Sequence, residues 1–210
     1  ACIFFTLFLC SCVKQGPVRK IVSPQYQIEI SGFTEAQQAS IEKTFAQLRA
    51  LKPGDLKIHK NIYKRLSRFE ALFGFSLNGE QLSAWVLSRM KRLVYGSPWT
   101  VAVNQNKGVF VLGGQFFEGL SDLERLYLLI HEARHSDGNG FRHVKCPKGF
   151  RFVSSGQPGM DLERTFACDQ MDDGAYAFQS AFLFEVLAYG LFDQREAALL
   201  YNSSISRMIK

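Results

Sequence analysis

Residues 121–135 constrain the fold of this chain more than any other stretch. They open on Ser121-Asp122-Leu123-Glu124, an S-x-x-E capping box whose hydroxyl and carboxylate can satisfy the orphan amides of a helix start. Leu123, Leu126, Tyr127, Leu129, Ile130 and Ala133 then recur at helical spacing and make a broad apolar face. Gly138-Asn139-Gly140 ends the pattern. A helix with such a face must lie against a core, and this one carries His131-Glu132-Ala133-Arg134-His135 there with it. Two imidazoles at i and i+4 share one face a turn apart, within reach of a single metal ion. Glu132 stands beside that ion, placed to take a proton from a metal-bound water. The plainer reading is a solvated surface pair; the cap, a third histidine nearby and an export signal favour the metal.

A catalytic zinc takes three protein ligands and keeps one position open. His143 is the nearest third candidate, and three of the four histidines of the chain fall between residues 131 and 143. The acidic alternatives are Glu185, set in the apolar helical stretch 177–191, then Asp173 and Asp169. His143 is placed first because an imidazole in a glycine-bounded loop just past the helix needs no long-range assumption. Tyr176 either stabilises an oxyanion near the metal or packs its own helix, and packing is favoured. Arg134 and Asp137 read as site-orienting groups or as an exposed ion pair, and His59, in a basic stretch, as a surface residue.

The arrangement resembles the zincin metallopeptidases over about the middle third of the chain. Residues 99–103 and 109–112 read as two strands around Asn104-Gln105-Asn106-Lys107-Gly108, similar to the zincin order of sheet followed by active-site helix. The resemblance implies an α+β fold, mostly helical, with a small sheet preceding the helix. It also implies Zn²⁺ as cofactor, amide-bond hydrolysis with Glu132 as base, and a strand over 108–114 that binds extended substrate by edge pairing. Metzincins carry H-E-x-x-H-x-x-G-x-x-H; Gly138 matches the glycine, while His143 lies two residues beyond the last histidine position. Gluzincins take a glutamate from a later helix, the role open to Glu185.

Near the start, Ile3-Phe4-Phe5-Thr6-Leu7-Phe8-Leu9 is an apolar run of signal-peptide length. Leu9-Cys10-Ser11-Cys12 resembles the bacterial lipobox, which implies a signal over 1–11 and lipid on Cys12. The chain would then be exported and anchored to a membrane of the cell envelope, with residues 12–24 as a tether. Of five cysteines, Cys146 and Cys168 remain for the mature domain, and an even pair in an oxidising compartment suggests one disulfide. It would close a loop of about twenty residues and stabilise by about 3 kcal/mol in the chain-entropy model. The other use of these thiols, as zinc ligands with His143, lacks the close C-x-x-C spacing of structural sites.

Residues 25–210 suit one domain, and 47% hydrophobic content with 19 phenylalanines excludes a disordered chain. Residues 26–30 alternate as a half-buried strand, and Thr34-Glu35-Ala36-Gln37 caps a helix to about residue 51. Helical patterns follow over 60–73, 79–95, 172–191 and 194–207, with a long loop over 138–163 between the motif and the last two. The net charge of +6 is spread over several segments with no nucleic-acid motif, so no nucleic-acid partner is expected. The expected substrate is a peptide or a cell-wall amide. Two alternatives remain: a lipoprotein that holds metal for stability alone, and a zinc amidase or esterase acting on cell-wall material.

Overall fold

The computed structural model describes residues 19–23, 26–97, 99–105, 107–138, 142–150 and 162–209. The signal segment, Cys12 and residues 12–18 of the tether lie outside them. The chain runs β1 (Arg19–Ser23), β2 (Tyr26–Ser31), α1 (Glu35–Ala50), α2 (Lys60–Leu66), α3 (Phe69–Phe73), α4 (Gly79–Leu87) and β3 (Arg92–Tyr95). It continues through β4 (Ala102–Gln105), β5 (Val109–Leu112), α5 (Gly114–Glu118) and α6 (Asp122–His135). It finishes with β6 (Val144–Lys145), β7 (Phe166–Cys168), α7 (Ala175–Tyr189) and α8 (Gln194–Ser206). The fold is therefore mixed α+β, with a small sheet ahead of the motif helix. No helix among the described residues is long and apolar enough to cross a membrane.

The five-stranded sheet has the order β1-β2-β3-β5-β4. Its inner pairings, β2 with β3 and β3 with β5, are parallel, while the marginal strands β1 and β4 pair antiparallel. β1 lies within the segment expected as a tether. Ile28, Ile30, Leu93, Phe110 and Leu112 are buried in one core with Leu123, Leu126, Leu129 and Ile130 of α6. Each such fully buried side chain contributes about 1.5–3 kcal/mol. That burial anchors the histidine-bearing turn. Both expected capping boxes form, at Thr34 for α1 and at Ser121 for α6.

Three local expectations are corrected by tertiary pairing. Residues 92–95 are the strand β3 rather than the end of a helix, because backbone partners wait on both sides in β2 and β5. The helix over 60–73 divides at Ser67, whose extended backbone follows α2 and whose hydroxyl donates to Glu185. α3 then turns Phe69 and Phe73 into the core, whereas α2 buries no residue. The expected substrate edge over 108–114 is not an edge, since β5 is paired on both sides; β4 is the marginal strand.

A second, two-stranded sheet joins the long loop to the segment after it, with Val144 of β6 facing Cys168 of β7. Cys146 and Cys168 form a disulfide there, with Cα atoms 5.2 Å apart. The antiparallel register carries a consequence for position: His143, just before β6, emerges beside Asp169, just after β7.

Candidate metal centre

α6 ends at His135, and both of its histidines reach the same point as His143. His131 Nε2 lies 3.1 Å from His143 Nε2 and 3.2 Å from His135 Nε2. One ligand nitrogen from each of the three lies within 4.8 Å of the others, so the group could hold a metal ion. Two imidazole nitrogens bound to one tetrahedral Zn²⁺ at about 2.0–2.1 Å lie about 3.3 Å apart, close to the spacing found. Three nitrogen donors suit a first-row transition ion rather than Mg²⁺ or Ca²⁺, which take oxygen ligands.

The proton positions support the same fit. The Ser204 hydroxyl donates to the Leu200 carbonyl at 2.7 Å, so it must accept from Gln179 Nε2, also at 2.7 Å. The other end of that amide, Oε1, then faces His131 Nδ1 at 2.7 Å and takes its N–H. A backbone carbonyl thereby fixes the His131 tautomer through two intermediate groups, leaving the lone pair on Nε2. Asp169 Oδ1 does the same for His143, accepting from Nδ1 at 2.7 Å. With those tautomers two lone pairs face each other across 3.1 Å, an arrangement that a metal cation between them would satisfy. Burial holds the His131 imidazole well below its ordinary range, with His135 and His143 adding to the effect, so it presents a neutral nitrogen donor.

Asp169 is held in turn. Its Oδ2 accepts from the Tyr176 amide at 2.9 Å, and a side chain at position 174 would collide with it, since a Cβ on Gly174 would come within 2.5 Å of that oxygen. Tyr176 stacks on His143, with ring centroids 4.9 Å apart, and meets His131 edge-on. Its hydroxyl bonds Arg207. Tyr176 thus packs against the histidines rather than only its own helix, with its hydroxyl engaged by Arg207.

Glu132 is buried on the same wall. Its Oε2 accepts from the Asn104 amide of β4 at 2.7 Å. The Asn104 side chain donates to the Glu132 carbonyl and to Ser136 Oγ, and accepts from the Gly108 amide at 3.0 Å. Asn104 therefore clamps the marginal strand to α6. Burial pushes the Glu132 carboxyl up to about 7, against the opposing hydrogen bond from Asn104. Glu132, His135 and His143 open on a cleft of about 920 Å³ whose sheet wall includes Ala102, Val103 and Asn104.

Of the acidic ligand candidates, Asp169 touches His143 on the side away from the other histidines, while Glu185 and Asp173 are engaged elsewhere. Glu185 is fully buried and accepts from Ser67 Oγ at 2.5 Å and Tyr63 Oη at 2.8 Å. Asp173 pairs with Arg134 at 2.9 Å, and Arg134 also meets Asp137 at 2.7 Å. Arg134, only 12% exposed, is thus a tie between α6 and the approach to α7 rather than a free surface charge. Cys146 is in the disulfide, and its thiol cannot serve as a ligand. His59 is exposed and caps α2 through Nδ1.

Sequence reasoning missed Asn104 and Gln179. Asn104 had been assigned to a turn, and nothing near it points to Glu132. Gln179 carried a usable signal, as a polar residue amid the apolar run of α7. No family model, no curated protein and no solved structure matches this chain.

Proposed function

We propose that the chain is a zinc-dependent hydrolase of zincin type, exported to a bacterial envelope, that cleaves amide bonds in a peptide or in cell-wall material. The observation that carries this is the convergence of three imidazole nitrogens at the mouth of a cleft that a buried carboxylic acid, Glu132, also lines. Zn²⁺ held by His131, His135 and His143 would supply Lewis acidity and an activated water at an open fourth position. Glu132 takes the proton of the attacking water and passes it to the leaving amine. Asn104 holds one of its oxygens, Oε2, and leaves Oε1 for that transfer.

The catalytic reading is favoured over a purely structural metal because no fourth ligand joins the three histidines among the described residues. The marginal strand β4 lines the cleft with no further strand beside it among the described residues, which favours an extended chain laid there. The disulfide supports an oxidising compartment, in keeping with export and a lipid anchor on Cys12.

The test is elemental analysis of the purified protein and of His131→Ala, His143→Ala and Glu132→Gln. One zinc per chain is expected in the wild type and in Glu132→Gln, and loss of zinc in both histidine variants. Glu132→Gln should lower turnover of a peptide pool by about 10²–10⁴-fold. A wild type that takes up no metal from a zinc solution refutes the proposal.

A further inference from the structure

The cleft beside the histidines has a one-sided charge. Lys91, Lys107 and Arg142 line it and are exposed, and among the described residues the only carboxylate in its lining is the buried Glu132. None of the three cations has an ion-pair partner among the described residues. Asp137, two residues past α6, is held by Arg89 at 2.9 Å and Arg134 at 2.7 Å. Unpaired positive charge around a concave site raises the local concentration of anionic ligands and disfavours cationic ones.

The three cations belong to different walls. Lys91 and Lys107 sit together at the sheet, where the Lys91 amide donates to the Gly108 carbonyl at 2.9 Å. Arg142 adjoins His143 on the other wall. The lining also carries two exposed apolar side chains, Val103 at 46% and Phe166 at 68% exposure. Exposed apolar side chains and a marginal strand suit a polypeptide better than a polysaccharide or a phosphate polymer.

We infer that the cleft selects an extended acidic peptide, with carboxylates on both sides of the bond to be cut. Lys91 and Lys107 meet those on one side and Arg142 those on the other, while Val103 and Phe166 take apolar side chains. This inference rests on the hydrolase reading for its chemistry, and on the charge of the lining for its selectivity.

The test compares two fluorescent decapeptide pools, one with Glu at every third position and one with Gln there. With the zinc-loaded full chain at low salt, kcat/KM should be about tenfold higher for the Glu pool, mainly through KM. The preference should fall below about twofold in 0.5 M salt, where charges are screened within a few ångströms. It should reverse in the double variant Lys91→Glu, Lys107→Glu. Equal cleavage of both pools overturns the inference and leaves the hydrolase reading standing. If neither pool is cut, the hydrolase reading fails and fluorescence anisotropy judges the inference: about tenfold tighter binding of the Glu pool upholds it, and equal or absent binding overturns it. Polyphosphate binding more tightly than the Glu pool also overturns it, in favour of a phosphate polymer.

Discussion

Replacing Gln179 by Leu should weaken zinc binding without touching any ligand. Leu has nearly the volume of Gln, so the change deletes hydrogen bonds rather than packing. Ser204 keeps its bond to the Leu200 carbonyl. His131 is only 5% exposed, so no water replaces the lost acceptor at Nδ1. The imidazole then either keeps a stranded N–H, at about 1–3 kcal/mol, or moves its proton to Nε2 and loses the lone pair that faces the metal. Either way, zinc affinity should drop about 10–100-fold, equivalent to about 1.4–2.7 kcal/mol. Competition against a chromophoric chelator measures this directly, with near-UV circular dichroism confirming that the variant remains folded. Gln179→Glu restores an acceptor and should bind zinc at least as tightly as the wild type. A Gln179→Leu protein that binds zinc within about threefold of the wild type refutes the tautomer argument.

The disulfide and the buried Glu185 offer two further tests. Removing the bridge with Cys146→Ala and Cys168→Ala should cost about 3 kcal/mol in urea denaturation. It should also weaken zinc binding, because the β6–β7 pairing sets His143 beside Asp169; a loss below about 1 kcal/mol with unchanged zinc affinity contradicts this. Burial raises the Glu185 carboxyl above its ordinary 4.5, against the hydrogen bonds from Ser67 and Tyr63. The folded state therefore holds that proton more tightly than the unfolded chain. Its stabilising contribution is full below pH 4.5 and is lost as pH rises through the folded value. Glu185→Gln should accordingly gain stability relative to the wild type as pH rises from 4.5, and a difference that stays constant up to pH 8 excludes the effect.

What could be read from sequence was local. The capping boxes at Thr34 and Ser121, the alternation of β2 and the 3.6-residue period of α6 depend on groups within a few residues of one another. The i, i+4 placement of His131 and His135 is of the same kind, and His143 was legible only because it lies close along the chain. The same local rules misassigned residues 92–95, whose apolar pattern suits a helix and a strand alike. Strand pairing with β2 and β5, not propensity, decided between them.

The tertiary structure alone decided how the histidines are held. Gln179 meets His131 from 48 residues away, Asp169 meets His143 from 26, and Asn104 meets Glu132 from 28. Asp169, weighed as a ligand from sequence, accepts a hydrogen bond from the candidate ligand His143 instead. Glu185, also weighed as a ligand, satisfies its carboxylate with the hydroxyls of Ser67 and Tyr63, away from the histidines. A sequence displays which residues can bind a metal, because that is a property of each side chain. Which of them converge, and which hydrogen bonds set their protons, follows from the packing of α6 between β4 and α7, and no local period records that packing.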